Sequence, residues 1–243
     1  MSGSQGRWWV GTSGFQYQHW AGVVYPPDLP RTAWFDYYSR FFTSVEINNT
    51  FYGLPAAEVF RRWHDQAPPG FLYALKFSRF GSHLKRLRDP EQTLGRFRER
   101  AVCLGEHLGP VLVQLPPHWR PDLPRLEAFL AALPAGWRWA MEFRDPAWLC
   151  RPVFERLRRA GVALCQHDLI PRHPREITAD WVYLRFHGGA DYSGRYGPRR
   201  LRPRVRLLRR WLAEGLDVHA YFNNDAAGHA FQDALCLRDL LAG

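Results

Sequence analysis

Lysine is nearly absent from this chain. Only Lys76 and Lys85 occur, so 31 of its 33 basic residues are arginine. A GC-rich genome explains that preference, but not the excess of bases over acids. Cysteine is also scarce: Cys103, Cys150, Cys165 and Cys236 lie far apart and form no C-x-x-C. That spacing argues against a disulfide framework or a cysteine-built zinc motif. No apolar run approaches the ~20 residues that a membrane span needs. The opening MSGSQGRWWVG carries no apolar signal-peptide core. The expectation is a cytoplasmic protein without a membrane partner. There is no low-complexity tract and no linker-like stretch, so residues 1–243 read as one domain. No G-x-G-x-x-G follows the first strand, which argues against a dinucleotide-binding open sheet. No H-x-H or H-E-x-x-H occurs, and no cofactor is predicted.

What remains is an ordinary globular composition, 46% apolar and 23% charged, with a net charge of +10. Such a balance favours a polyanionic partner: a small anionic substrate or single-stranded nucleic acid. Nothing in the composition fixes an oligomeric state.

Short β-branched or aromatic runs bounded by turn residues predict eight strands: 8–12, 44–50, 71–77, 110–116, 137–143, 162–168, 181–187 and 217–224. Most gaps hold segments with helical spacing of apolar residues. PAAEVFRRWHDQ opens on Pro55, and DPAWLCRPVFERLRRAG opens on an Asp-Pro pair and closes on Gly161. Segment 169–180 carries two prolines, so a loop replaces the helix after strand 6. Strand–helix alternation through eight units predicts an α/β fold, a single (β/α)8 TIM-type barrel.

In a barrel, function gathers at the C-terminal ends of the strands, and alternate residues share a face. Those ends are polar all the way round. They carry Thr12; Glu46, Asn48 and Thr50; Lys76 and Ser78; Gln114; Glu142 and Arg144; Gln166 and Asp168; Arg185 and His187; and Tyr221, Asn223 and Asp225. Buried charges need partners, and one polar cavity would satisfy them together. Read singly, several have plainer roles. Asp225 could cap the last helix, Asp168 could make an Asx turn, and Glu142 and Arg144 could be an internal ion pair. Lys76 is harder to dismiss, because a chain this rich in arginine keeps lysine where a compact, titratable ammonium is needed.

The blocks GTSGFQYQHWAGVVYP, VEINNTFYGLP, LGPVLVQLPP, MEFRDPAW, YLRFHG and AYFNNDAAGHA run in order over nearly the whole chain. Together they resemble the YecE-like family, the group called domain of unknown function 72. The resemblance implies a TIM-type barrel and leaves the activity unassigned. It also implies a shared polar set: Thr12, Glu46, Asn48, Tyr52, Lys76, Gln114, Glu142, Arg144, Arg185, His187, Asn223, Asn224 and Asp225. The family's Ile-Thr-His tripeptide after strand 3 reads Gly81-Ser82-His83 here, which keeps the histidine. Phe15, Tyr17, Trp20 and Tyr25, with Tyr192 and Tyr196, either roof the cavity or pack the long loops.

Three functions compete. The first is a hydrolase or lyase acting on a phosphorylated, anionic substrate, single-stranded nucleic acid included. Lys76, Arg144 and Arg185 would bind the anion, Glu46 or Glu142 would act as base, and His187 as acid or base. Thr12, Asn48, Tyr52, Gln114, Tyr192, Tyr196, Asn223, Asn224 and Asp225 would complete the binding surface. The arginine-rich segment 195–210 would track a phosphate backbone, or else form the solvated face of an amphipathic helix. The second is a sugar-processing enzyme, a glycosidase or isomerase built on Glu46 and Glu142. The third is a non-catalytic anion- or nucleic-acid-binding protein. A divalent-metal version would use Glu142, Asp168 and His187, against the positive charge expected beside them.

Overall fold

The computed structural model describes residues 5–243. It is built on eight strands: β1 Trp8–Thr12, β2 Ser44–Ile47, β3 Leu72–Lys76, β4 Leu108–Gln114, β5 Trp139–Glu142, β6 Ala163–His167, β7 Trp181–Phe186 and β8 Asp217–Phe222. They form one sheet in the order β1-β8-β7-β6-β5-β4-β3-β2. The observed pairings are parallel. An isolated parallel bridge joins Ser13 to Glu46, at β1 and β2. With helices between the strands, this is the (β/α)8 TIM-type barrel that the alternation predicts. As expected, no helix lies between β6 and β7. Among the described residues no helix is long and apolar enough to cross a membrane.

The chain divides into two compact units. The first holds residues 5–46, 167–171 and 181–243; the second holds 47–166 and 172–180.

In the first unit β1, β7 and β8 pair in continuous register, Trp8 to Thr12 lying against Val218 to Phe222. Helices α7 (Gly197–Ala213) and α8 (His229–Ala242) pack on them, and α1 (Trp34–Ser39) reaches the end of β1 through Tyr38. The loop after β1 is an aromatic core. Tyr25 stacks on Trp34 at 4.5 Å, Phe15 meets Phe35 and Tyr38, and Trp20 packs on Phe231. Phe15, Trp20 and Tyr25 are buried, so the loop-packing alternative holds for these three. Helix α7 begins at Gly197, within the arginine-rich segment 195–210, and carries Pro203 inside it. Its start is held by the Asp233 carboxylate, which accepts the Tyr196 and Gly197 amides at 2.9 and 2.8 Å. Leu201, Val205, Leu208, Trp211 and Leu212 form its buried stripe, while Arg199, Arg200, Arg202, Arg206, Arg209 and Arg210 are exposed. This is the amphipathic arrangement.

In the second unit β3, β4 and β5 pair in order, Gln114 lying beside Glu142 at the strand ends. Helices α3 (Ala57–Gln66), α4 (Pro90–Ala101), α5 (Leu123–Ala131) and α6 (Arg151–Arg159) flank them. A strand over 44–50 is expected from the sequence, but the chain leaves extended geometry after Ile47. It forms the short helix α2, Asn49–Tyr52. The Thr50 hydroxyl, close to both the Ile47 carbonyl at 3.2 Å and the Lys76 carbonyl at 2.7 Å, ties that turn to the end of β3. A hydroxyl with a local backbone acceptor competes with a strand ladder, and here it wins.

Candidate functional site

The strand ends of the first unit centre on Glu46. This carboxylate is fully buried and uses both oxygens. Oε1 accepts from Arg185 Nη2 at 2.8 Å, and Oε2 accepts from the Tyr183 hydroxyl at 2.7 Å. Burial and the nearby Glu46 charge push the Tyr183 hydroxyl well above its usual pKa, so it stays protonated and donates. Ser44 and Tyr221 share a hydrogen bond of 2.7 Å beside this group. Thr12 belongs to the same interior: its amide donates to the Tyr38 hydroxyl at 2.9 Å, and its own hydroxyl donates to the Gly14 carbonyl at 2.6 Å.

His187 closes β7. Its ring is buried, with Nδ1 3.4 Å from Asp168 Oδ1, and Tyr192 and His167 pack edge-on to it. Asp168 also accepts the His187 amide at 2.9 Å and the Tyr196 hydroxyl. Burial works to raise the Asp168 carboxyl, but hydrogen bonds from His187 and Tyr196 outweigh it and hold it down to about 2. The Tyr196 hydroxyl in turn accepts the Gly188 amide at 2.7 Å. Asn224 is buried and donates from Nδ2 to the Gly194 carbonyl and to Asp233, both at 2.9 Å. Asn224 is therefore a clasp on the loop between β7 and α7, and Asp233 is its partner. Asp233 escaped the sequence reading because it lies mid-helix, far from any strand end. Asn223 donates its amide to the Phe186 carbonyl at 2.7 Å. Asp225 does not cap α8 with its side chain: its carboxylate lies 3.2 Å from His19 Nε2, and its carbonyl accepts from Trp20 Nε1 at 2.8 Å.

The second unit brings together Lys76, His83, Gln114, Glu142 and Arg144. Lys76 is 8% exposed, its ammonium 4.1 Å from the centre of the Phe51 ring. His83 packs edge-on to the same ring at 5.0 Å. The fully buried Glu142 is paired with Arg144 Nε, and Arg144 Nη2 donates to Gln114 Oε1 at 3.3 Å. The Cys165 thiol lies 3.8 Å from the other Glu142 oxygen. Asn48, at the start of α2, is half-buried, and its Oδ1 has no hydrogen-bond partner. Tyr52 stands at 80% exposure on the rim of that helix.

His83 is the group whose chemistry is most altered. Burial, then Lys76, Arg79 and Arg144, push its imidazole down to about 4, with Glu142 opposing them. Ser82 Oγ lies 2.8 Å from the Ser78 carbonyl and 3.0 Å from His83 Nδ1, so the serine is the ring's hydrogen-bond partner. Burial and the neighbouring positive charges thus favour the neutral imidazole. The sequence marked His83 only as the surviving member of a family tripeptide. Arg79 and Ser82, which tune it, carried no motif signal.

A (β/α)8 barrel with charged, hydrogen-bonded strand ends defines the class. The comparisons then give the family: the model described as "Protein of unknown function DUF72" matches residues 9–243, and the chain belongs to that family. The UPF0759 protein YecE of Escherichia coli K12 is 33% identical over 126 residues, 51% of this chain and 46% of that protein. The chain thus matches about half the length of its curated relatives. A DUF72 family protein from Thermotoga maritima superposes with a TM-score of 0.81 at 27% identity, covering 98% of this chain and all of that one. A second, from Enterococcus faecalis, shares the fold with a TM-score of 0.81 at 19% identity, covering 97% and 96%.

Proposed function

We propose that the ends of β3, β4 and β5 bind an anionic, phosphorylated substrate and process it as a hydrolase or lyase. The observation that carries this reading is the field at His83, where Lys76, Arg79 and Arg144 outnumber Glu142. Lys76 supplies a compact charge and Arg144 a planar fork, already oriented by Glu142 and Gln114. An arriving phosphate offsets the positive field and raises the His83 pKa towards the neutral range, where a general acid–base works best. Substrate binding therefore switches on the catalyst.

Asp168 and His187 form a second acid–base pair, oriented as a carboxylate orients an imidazole. Glu46 has both oxygens taken by Arg185 and Tyr183, which makes it a charge-balancing group rather than the base. The test is a turnover screen over phosphomonoesters, phosphodiesters, nucleotides and single-stranded oligonucleotides. Replacing His83 by Gln should cut the rate about 10²-fold or more, the usual worth of a positioned acid–base. The same change at His187 ranks the two histidines. No turnover and no binding of any phosphorylated compound at low salt would leave the reading without support.

A further inference from the structure

A second group of ionisable side chains lies at the opposite end of β4 from Gln114. His64 stands in the last turn of α3, and Glu106 and His107 close the tight turn that leads into β4. Among the described residues, these three are the only set of three His, Cys, Asp or Glu side chains whose ligand atoms all fall within 4.8 Å of one another.

The hydrogen bonds fix which nitrogens are offered. His107 Nδ1 lies 2.8 Å from the Phe71 carbonyl, which can only accept, so Nδ1 carries the proton and Nε2 the lone pair. His64 Nδ1 lies 3.0 Å from the Asp65 carboxylate, which sets the same tautomer. Both rings therefore present Nε2, each braced from behind by an oxygen acceptor, the arrangement that orients a metal-binding imidazole. Glu106 stands between them, Oε2 3.5 Å from His64 Nε2 and Oε1 3.9 Å from His107 Nε2. A tetrahedral ion with bonds of ~2.0–2.1 Å places its ligand atoms ~3.4 Å apart. The two nitrogen–oxygen distances approach that figure, and one ligand atom from each of the three residues lies within 4.8 Å of the others, a spacing that small side-chain rotations would close around an ion. Gly105, in a left-handed conformation at φ 51°, makes the turn that brings Glu106 and His107 to His64. The His64 ring lies in ordinary van der Waals reach of that glycine, 3.4 Å from where a Cβ would stand.

We propose that His64, Glu106 and His107 hold a divalent transition-metal ion of the zinc class, with water in the remaining position. Two imidazoles and one carboxylate suit zinc, cobalt or nickel and disfavour calcium or magnesium. The ion would link the end of α3 to the start of β4, at the base of the second unit. Its role there is structural, so it would raise stability without taking part in turnover at the strand ends.

The test uses the full chain, stripped by a chelator and titrated with zinc chloride in a calorimeter. The expected result is one zinc per chain and a higher melting temperature for the loaded protein. In His64→Ala, the affinity should fall at least tenfold while the metal-free melting temperature and circular dichroism stay unchanged. His64 is chosen because it is half-exposed, whereas His107 is buried against Phe71 and its loss would threaten folding. Cobalt loading should give the visible bands of a tetrahedral site in the wild type and lose them in His64→Ala. Absence of stoichiometric binding, or equal zinc affinity in His64→Ala, would overturn the proposal.

Discussion

Glu46 is fully buried, with one oxygen held by Arg185 and the other by Tyr183, so its position is secure only while both hold it. Truncating one member of a buried ion pair leaves the other charged without compensation, typically at a cost of about 3–5 kcal/mol. Arg185→Ala should therefore unfold at much lower urea than wild type, and Glu46→Ala should do the same. A Glu46→Ala variant of unchanged or higher stability would show that the carboxylate is filler. His83 makes a different prediction. Its pKa is depressed in the folded chain, so the unfolded chain binds the proton more readily between the ordinary value of 6.5 and about 4. Stability at His83 is full above pH 6.5 and falls as pH drops towards 4. His83→Gln should flatten that part of the stability profile, measured by denaturant unfolding at several pH values. Asp168 acts lower on the scale, its contribution being lost only as pH falls from 3.8 towards 2.

At the scale of elements, the loop between β7 and α7 depends on one carboxylate. Asp233 accepts from Tyr196, Gly197 and Asn224, and it is 1% exposed. Removing it in Asp233→Ala strands three buried donors, which should cost about 3 kcal/mol or more. Hydrogen exchange should then show faster amides across residues 188–197, with β3 to β5 unaffected. Gly188 is equally constrained, since a Cβ there would fall 2.3 Å from the Gly194 carbonyl oxygen. None of this was legible in the sequence, because Asp233 looks like any polar residue on an amphipathic helix. The strands were legible for the opposite reason: period-two patterning and turn residues placed all eight within a few residues of their observed ends. The segment after Ile47 was misread because its alternating pattern continues past the point where Thr50 bonds back to the chain.

For the whole molecule, the order of polar strand ends was legible, and so was the barrel. Part of the pairing was legible too. Glu142 and Arg144, two apart on one strand face, read as a possible internal ion pair and form one. Which of the cations facing Glu46 would hold it was not legible, because that choice depends on register and rotamer, which give it Arg185. The net charge of +10 and the exposed arginines of α7 bear on the nucleic-acid version of the substrate. That version predicts oligonucleotide binding at about 50 mM salt that weakens steeply as salt rises, with a slope of about 0.7 for each phosphate neutralised. No binding at low salt would restrict the substrate to small phosphorylated compounds.

On the proposed reading, burial and the positive field at the ends of β3 to β5 together keep His83 neutral until an anion offsets the field. Nuclear magnetic resonance can read this directly, by titrating the His83 ring with pH in the absence and presence of pyrophosphate. The expected result is a pKa of about 4 without the anion, rising by about one unit or more with it, and a higher starting value in Lys76→Gln. A free-protein value near 6.5, or a depressed value that pyrophosphate leaves unmoved, would contradict it.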